Sequence, residues 1–449
     1  MKLKRILSSF LAVVMAFGVV SLATVDEKGN IFGNTLTAEA ATEKTATKMP
    51  DNAITFSSTY SDELEIIPAA SKNGMYYYNN KVIYFYSVAN NTFRKIYDYN
   101  DKGRNKDTVI CVYADAEKGK FYIVWLDSSN QNKKYYYLDE FDVKSEKFVS
   151  TKDISSLVGS NNLSYPESLG VDSQNRYYLA VYDSNQDKYI INLISADMKL
   201  LSSAVAGDAV YKFSGFDKTN GNFYFEGYTD WIYWGYSHDT QSLKCGNVKN
   251  NKISISNYYV DILYQQYYTP HYDNAVMLTN GDFVWTSTMS GAVRVLDSAK
   301  FDIADKDSSL PLKLSVSRSG YEIEDRYADS IGTRTVYNAA TGDYLMYVND
   351  NTIAELDSEG NKKSTFKTAY PVFAMYNYGD SVLVIEKDTD ENFYVENLKW
   401  AYPTKITLSK TSATIKVGES LSLKATSDSV LDISFTWSSN NNSVASVTK

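Results

Sequence analysis

The stretch Thr219-Asn220-Gly221-Asn222-Phe223-Tyr224-Phe225-Glu226-Gly227 (TNGNFYFEG) decides the fold of this chain, because it is repeated. It joins a short polar turn around a glycine to an aromatic-rich strand, which is the pattern of a hairpin. Related segments occur six more times. Their central residues, here called anchors, are Gly74, Gly119, Asn175, Gly281, Gly342 and Gly379, and the steps from Gly74 onward, with Gly221 included, are 45, 56, 46, 60, 61 and 37 residues. The sequence is therefore organised as seven repeated units.

The anchors are six glycines and one asparagine, the residue types that most readily accept a positive φ. They are expected to serve the turn backbone and not to form a binding signature. A strand pattern precedes and follows each anchor, and a third and often a fourth strand come next. Examples of the third strand are Tyr189–Ile194 and Trp231–Trp234. After the first 23 residues, no long apolar run has helical spacing. Each unit is thus predicted to be a three- or four-stranded antiparallel meander.

Units of this size with four short strands are typical of the blades of a β-propeller. Residues 51–402 resemble a seven-bladed β-propeller of a divergent bacterial surface type, on the strength of the repeat just described. Trp-Asp dipeptides at strand ends, a double-glycine kelch signature and a sialidase box are absent from the sequence. The two longest steps predict insertions at about 247–273 and 303–333 on one face. If the ring closes through both ends of the repeat, Ala53–Ile67 should supply a strand near Tyr370–Asn397.

The tail, residues 403–449, has a different pattern. Ile406–Thr426 largely alternates apolar and polar residues with one turn at Gly418, which indicates two or three strands of a β-sandwich. Together with Phe435–Asn440 it resembles a bacterial Ig-like group 2 domain, in which Trp437 would be a core anchor. That family continues beyond the point matching Lys449, so we expect a partial domain and a chain that is a fragment of a longer protein. The fold class is therefore all-β, and the resemblance implies a bacterial cell-surface context.

The first residues have the pattern of an export signal. A basic segment, Met1–Arg5, precedes the uncharged segment Ile6–Ala23. The alternative is a retained transmembrane helix, since 18 apolar and small residues are marginally long enough to span a bilayer. Small-x-small cleavage sites occur at Ser21–Ala23 and Ala38–Ala40, and we prefer the second. Residues 1–40 are then a signal peptide and 41–50 a linker, and the mature protein is secreted or on the bacterial cell surface without stable membrane insertion.

Composition excludes several function classes. Lys and Arg number 45 against 54 Asp and Glu, giving a net charge of −9 and a pI near 5.0, so a nucleic-acid partner is not expected. The only imidazoles are His238 and His271, and neither a Gly-x-Ser-x-Gly nor a His-Glu-x-x-His motif is present. Cys111 and Cys245 are too few for a disulfide framework and are expected to be separate small side chains.

No metal site or cofactor is predicted. Asp98–Gly103 fails as a calcium loop because Lys102 occupies a ligand position. Asp183-x-Asn185-x-Asp187 and Asp388-x-Asp390-x-Asn392 offer alternating oxygens, but these residue types also form ordinary turns. No catalytic residue can be assigned among 54 acids; Glu322, Glu324 and Asp325 would be the first place to search for a glycosidase-type pair, against the interpretation as a solvated loop.

Two aromatic clusters are the candidate ligand-binding residues. Residues 257–272 contain six tyrosines in 16 positions. The candidates there are Tyr264, Tyr267, Tyr268, His271 and Tyr272, and the second cluster centres on Trp231 and Trp234. Aromatic rings with polar tips suit sugar stacking or a protein hot spot, whereas the alternative is that they only build contacts between blades.

We therefore expect a non-catalytic extracellular binding or adhesion protein that recognises carbohydrate or protein through one propeller face. The alternative function is that of a carbohydrate-active enzyme, either a glycoside hydrolase or a polysaccharide lyase, using carboxylates in the central channel. A third interpretation is a structural spacer. The fold class cannot separate these, because propellers host all of them.

Overall fold

The structure is a computed structural model. It describes residues 7–14, 17–25, 31–42, 46–55, 64–127, 129, 133–159, 163–207, 209–210, 212–217, 221–233, 236–259, 276–278, 280–286, 292–296, 308–309, 312–317, 335–339, 341–349, 351–359, 362–379, 381–399, 406–410, 420–427 and 433–437. The chain divides into a large unit, Ala46–Glu396, and a small unit made of Met1–Thr45 and Asn397–Lys449.

Within the described residues of the large unit, seven antiparallel sheets follow one another along the chain. Sheet 1 consists of Glu65–Ala69, Gly74–Asn79, Val82–Ser87 and Thr92–Asp98; sheet 2 of Thr108–Asp115, Lys120–Asp127, Tyr135–Asp142 and Lys147–Asp153; sheet 3 of Tyr165–Val171, Tyr177–Asp183, Lys188–Ile194 and Leu200–Gly207; sheet 4 of Lys212–Phe216, Phe223–Tyr233, Tyr236–Lys249 and Lys252–Tyr259, with Ser308–Ser309 added in parallel. Sheet 5 consists of Val276–Met277, Phe283–Thr286, Ala292–Leu296 and Leu312–Ser317; sheet 6 of Thr335–Asn338, Asp343–Asn349, Thr352–Leu356 and Lys362–Lys367; sheet 7 of Val372–Tyr378, Ser381–Lys387, Phe393–Lys399 and Thr47–Lys48. The predicted repeated meander is confirmed.

The first strand of each sheet, here called its inner strand, contacts the inner strands of neighbouring sheets. Such contacts join sheets 1 and 2, 2 and 3, 3 and 4, 4 and 5, 6 and 7, and 7 and 1. Sheets 5 and 6 are joined by Leu278, which packs in one apolar cluster with Tyr344 and Met346. Inner strands linked in a circle, each followed outward by its own meander, give the arrangement of a β-propeller.

Apolar side chains between consecutive sheets hold this arrangement together. One buried cluster joins sheets 1 and 2 and contains Trp125, Tyr76 and Phe141, all with 1% exposure or less. Other clusters lie between sheets 2 and 3, 3 and 4, and 7 and 1. Burying one large apolar side chain stabilises a fold by about 1.5–3 kcal/mol. Because sheets 1, 2 and 3 each bury both faces in this way, none of these meanders is expected to be stable alone.

Six of the seven anchors have the positive φ expected of them, from 59° at Asn175 to 87° at Gly281. The exception is Gly74, where the prediction was wrong. The left-handed position is taken by Asn73, with φ 50°, and Gly74 begins a strand. A Cβ at Gly74 would lie 2.5 Å from Phe85 Cζ and would also meet the carbonyl oxygen of Tyr86. A glycine is required there by close packing and not by turn geometry.

The ring closes through both ends of the repeat, but with a different segment from the one predicted. Thr47 and Lys48, inside the predicted linker, pair with Val395 and Tyr394 in sheet 7. The described residues of the predicted segment Ala53–Ile67, which are 53–55 and 64–67, do not pair with sheet 7, because Glu65–Ala69 forms the inner strand of sheet 1. The Tyr77 hydroxyl donates to the carbonyl oxygen of Ala53 at 2.5 Å, so the closing segment continues from sheet 7 onto sheet 1.

Two further expectations can be compared with the structure. Trp231–Trp234 was predicted as a third strand, but Trp231 belongs to the long second strand Phe223–Tyr233 of sheet 4, because the register continues unbroken from Phe223 to Tyr233. Cys111 and Cys245 are buried, and neither is in a disulfide, as expected. The helical elements described are Ser155–Val158 and the 3₁₀ turns Ala70–Lys72 and Asn100–Lys102. None of the described helices has the length and apolar character that crossing a membrane requires.

In the small unit, Leu7–Val14, Phe17–Val25, Ile31–Thr42 and Ile433–Trp437 form one antiparallel sheet, and Ile406–Leu408 pairs with Ala425–Ser427. The side chain of Trp437 and most of residues 403–449 lie outside the described part. The signal peptide and the Ig-like domain therefore stay predictions.

Candidate functional site

The anchor turns of neighbouring sheets contact one another and so define one face of the propeller. The ammonium of Lys118 donates to the carbonyl oxygen of Asp172. Tyr378 donates to Asn73 Oδ1 at 3.1 Å, and Tyr344 donates to Asp282 Oδ2 at 2.7 Å. We call this the anchor face. Because the strands are antiparallel, the turns between second and third strands and the connections between sheets lie at the opposite end, the connection face.

The candidate residues from the aromatic loop, Tyr264, Tyr267, Tyr268, His271 and Tyr272, lie outside the described residues, as do Trp234 and the acidic candidates Glu322, Glu324 and Asp325. The described residues that flank the aromatic loop show at which face of the propeller it begins and ends. Tyr259 ends the fourth strand of sheet 4 and Val276 begins sheet 5, so both flanks of the aromatic loop are on the connection face.

Sheet 4 differs from its neighbours in a long hairpin. Toward the connection face, the pairing of the inner strand with the second strand ends at Lys212 and Glu226, and the pairing of the fourth strand with the third ends at Ser242. The second and third strands stay paired with each other beyond these points, as far as Tyr233 and Tyr236. Seven further residues at roughly 3.3 Å each extend the hairpin by about 20 Å. This extension projects from the connection face, and in it Trp231 pairs with His238. The side chain of Trp231 is not among those described.

Three tyrosines form a row across sheet 3 at the connection face. Tyr165 pairs with Tyr182, and Tyr182 pairs with Tyr189. The ring centroids are 5.1 Å apart in the first pair and 5.4 Å in the second, and the hydroxyls of Tyr165 and Tyr189 are 3.5 Å apart. All three side chains are half-buried, and the next position in the row is Gly207, which has no side chain. We call Tyr165, Tyr182 and Tyr189 the tyrosine row.

Glu167 lies beside this row because of a β-bulge. Pro166 pairs with Val181 and Ser168 with Ala180, which leaves Glu167 as the extra residue of the inner strand. Its side chain is half-buried, and burial raises the pKa of the carboxyl to about 7. The pKa of the Tyr189 hydroxyl is raised by burial, by the hydrogen bond with Tyr165 and by the charge of Glu167. The carboxyl of Glu167 has no hydrogen bond or ion pair among the described contacts.

Comparable bulges occur in three other inner strands, at Ile110, Ser214 and Phe373. Among these four described bulges, the one at Glu167 is alone in presenting a carboxyl. The repeat itself therefore produces the bulge, while the ionisable side chain at that position is particular to sheet 3.

Nearer the axis, side chains from non-adjacent sheets meet. Glu65 Oε1 on sheet 1 lies 3.8 Å from Lys212 Nζ on sheet 4. Burial raises the pKa of Glu65, and Lys212 opposes that rise. Tyr376 of sheet 7 has its pKa raised by burial and by the charge of Glu65. The ion pair therefore bridges the space between inner strands, and this channel carboxylate already has a cationic partner.

The calcium-like turns use their oxygens internally. Asp388 Oδ1 accepts the N–H groups of Asp390 at 2.9 Å and Asn392 at 2.8 Å. Asp183 Oδ1 accepts the N–H of Asn185 at 2.9 Å. These are the bonds of Asp- and Asn-initiated turns. Over the described residues, no group of three His, Cys, Asp or Glu side chains is placed to hold a metal ion.

The sequence reasoning did not single out the tyrosine row or Glu167. Tyr182 and Tyr189 are recognisable as flanking a predicted turn, but Tyr165 joins them only through strand register. A signal was available: aligning the inner strands by their anchors puts Glu167 near the positions of Ile110 and Ser214. Glu167 is therefore a candidate site residue because it is charged, whereas the residues at the corresponding positions of the repeat, Ile110 and Ser214, are not.

No family model matches the sequence, and no curated protein matches it. Among solved structures, the chain is similar to Raptor from Chaetomium thermophilum (TM-score 0.46, 9% identity, 80% of this chain and 29% of that chain). It is also similar to BamB from Moraxella catarrhalis (0.39, 11%, 79% and 99%) and to the Dos1 propeller (0.42, 9%, 88% and 95%). The chain thus spans less than a third of the Raptor chain. All three TM-scores are below 0.5, so the description of the fold rests on the sheets and their contacts.

Proposed function

We propose that this chain is an exported bacterial surface protein whose seven sheets are the blades of a seven-bladed β-propeller, and that it binds an extracellular carbohydrate without catalysis. The circle of inner-strand contacts supports the blade count. The predicted signal peptide and the resemblance of the tail to a bacterial Ig-like group 2 domain support the location. The binding site is on the connection face.

One observation carries the proposal: the tyrosine row with Glu167 beside it. Tyrosine presents an apolar ring and a polar tip, the combination that sugar rings and their hydroxyls require. The row ends at Gly207, so the position beyond Tyr189 has no protein side chain on that strand. Glu167 adds a group that can form directional hydrogen bonds. Ligand pockets typically combine apolar walls with a few polar groups of this kind.

The predicted residues extend this proposal across the same face. Trp231 lies in the hairpin of sheet 4 that projects from the connection face. Both flanks of the loop containing Tyr264, Tyr267, Tyr268, His271 and Tyr272 are there too. We propose that these aromatic residues and Trp234 contribute further contacts to the ligand.

The proposal is tested with the full chain on a glycan array, using Tyr182→Ala and Tyr337→Ala. Tyr182 is half-buried in the tyrosine row, and Tyr337 is a half-buried tyrosine next to the anchor turn of sheet 6. We expect binding to at least one glycan class by the wild type and by Tyr337→Ala, and its loss in Tyr182→Ala with unchanged thermal unfolding. Absence of glycan binding by the wild type, or equal binding by both variants, refutes it. A protein partner or a spacer role would then be favoured.

Catalysis is the second candidate function, favoured by the pKa of about 7 at Glu167. A carboxyl titrating near neutrality is suited to general acid–base catalysis of glycoside cleavage. Incubating the glycans bound on the array with the wild type and Glu167→Gln separates the two functions. Release of reducing ends by the wild type alone would establish an enzyme, whereas binding without release supports the non-catalytic function.

A further inference from the structure

We infer that the glycan bound at the tyrosine row carries a positively charged nitrogen, as in a polysaccharide with free amino sugars. This inference rests on the proposed function and specifies its ligand class. Its starting point is that Glu167, a half-buried bulge residue on the same inner strand as Tyr165, has no hydrogen bond or ion pair with the described residues.

Several other shielded carboxylates of the large unit are matched by cations of the chain. Asp139, whose side chain is 2% exposed, has Arg104 at 3.0 Å. Glu146 has Arg94 at 2.5 Å, and Asp343 has Lys363 at 2.7 Å. Burying a carboxylate without such a partner is costly. Glu167 departs from this pattern at the face where a ligand is expected, so the missing positive charge is assigned to the ligand.

Glu386 is a buried carboxyl that is accommodated in a different way. Its Oε2 accepts the N–H of Tyr370 at 2.6 Å, and it shares a buried position with Glu396. That carboxyl is fully buried within sheet 7 and has a backbone donor. Glu167 instead keeps partial access to solvent and has no donor among the described contacts, which leaves it available to an incoming group.

The tyrosine row favours a cation for a second reason. The faces of aromatic rings carry negative potential, and a cation within about 6 Å of a ring centroid is stabilised by about 0.5–2 kcal/mol. Lysines already use tyrosine rings in this fold: Lys152 Nζ lies 4.7 Å from the ring of Tyr177, and Lys72 Nζ lies 5.1 Å from that of Tyr76. An ammonium group near Tyr189 would meet both an aromatic ring and the carboxylate of Glu167.

A neutral glycan would not supply this match. An opposite charge close to a carboxyl favours its ionised form, so an ammonium ligand would lower the pKa of Glu167 and recover the desolvation cost. A neutral sugar would offer the carboxylate hydrogen bonds from its hydroxyls but no opposite charge. Acetylation of the amine removes the charge with little change to the sugar ring, so the acetylated and free amino sugars form a matched pair of probes.

The test compares a glucosamine hexamer with an N-acetylglucosamine hexamer by calorimetric titration of the full chain at about pH 6.5. We expect the glucosamine hexamer to bind at least about tenfold more tightly, and Glu167→Gln to reduce this preference to less than about threefold. Tyr337→Ala is the matched control and should keep the full preference.

The outcomes separate this inference from the proposed function. Equal affinities for the two hexamers, or a preference that survives Glu167→Gln, overturn the cationic ligand; the proposed function then stands if the array shows binding to neutral glycans. If the wild type binds neither hexamer and no glycan on the array, both fail. Binding of a lysine-rich peptide in place of any glycan also overturns both.

Discussion

Replacing Arg104 by methionine is predicted to destabilise the propeller strongly. Arg104 lies in the connection between sheets 1 and 2. Its Nη2 is 3.0 Å from Asp139 Oδ1, its Nε is 3.3 Å from Asp139 Oδ2, and its Nη1 is 2.9 Å from Asp107 Oδ2. The guanidinium also lies 4.9 Å from the ring centroid of Tyr137. One side chain thus neutralises two carboxylates and packs on an aromatic ring.

The magnitude follows from what the substitution leaves behind. The side chain of Asp139 is 2% exposed, and removing one partner of a buried ion pair typically costs about 3–5 kcal/mol. Thr151 Oγ1 still donates to Asp139 at 2.6 Å, which relieves part of the cost. Methionine keeps the apolar part of the contact with Tyr137. We therefore expect a loss of about 3 kcal/mol, a large part of the 5–15 kcal/mol typical of a folded protein.

The assay is urea unfolding of the full chain at pH 7, followed by tryptophan fluorescence. Lys95→Met is the control, because Lys95 forms an exposed pair with Asp98 at 2.8 Å and its removal should leave the midpoint unchanged. The double variant Arg104→Met/Asp139→Leu should recover part of the loss, because the buried charge of Asp139 is then absent and only Asp107, whose side chain is 12% exposed, has lost its cation. A loss below about 1 kcal/mol in Arg104→Met, or a double variant no more stable than the single one, would refute the reasoning.

Three further predictions concern other parts of the large unit. Gly74→Ala should lower thermal stability by several kcal/mol through overpacking against Phe85 and the Tyr86 backbone, whereas Gly221→Ala, with φ 74° and no atom within 4 Å, should cost about 1 kcal/mol; equal melting shifts would contradict this. Tyr77→Phe leaves the Ala53 carbonyl without its buried donor and should cost about 1–2 kcal/mol by urea unfolding, and an unchanged midpoint would show that the closing segment does not depend on this bond. The pKa of Glu386 is raised to about 8, first by burial and then by Glu396; a pKa raised in the folded state gives stability that is complete below the unfolded value of 4.5 and lost as pH rises through 8. Melting curves from pH 5 to 9 should therefore show falling stability in the wild type and a flatter profile in Glu386→Gln, and identical profiles would count against this account.

Much of the architecture was predictable because its causes are local. Six anchors have the backbone that glycine and asparagine favour, and the alternating aromatic segments between them form the strands. Both signals are short-range and repeat along the chain, so seven copies reinforce one another. Where a local signal had two causes, the prediction failed: Gly74 looks like a turn residue, but its neighbour Asn73 takes the turn and Gly74 meets Phe85 across the sheet.

The sequence by itself determined the all-β class, the repeated meander, the negative net charge and the wealth of tyrosine. Only the tertiary structure decided that Thr47–Lys48 closes the ring, that Tyr165, Tyr182 and Tyr189 stand in one row, and that a bulge sets Glu167 beside them. The physical reason is that strand pairing joins residues far apart in the chain, and a single extra residue in one strand changes which side chains meet. Periodicity predicts that a strand forms, whereas its register and its neighbours depend on how all the sheets pack.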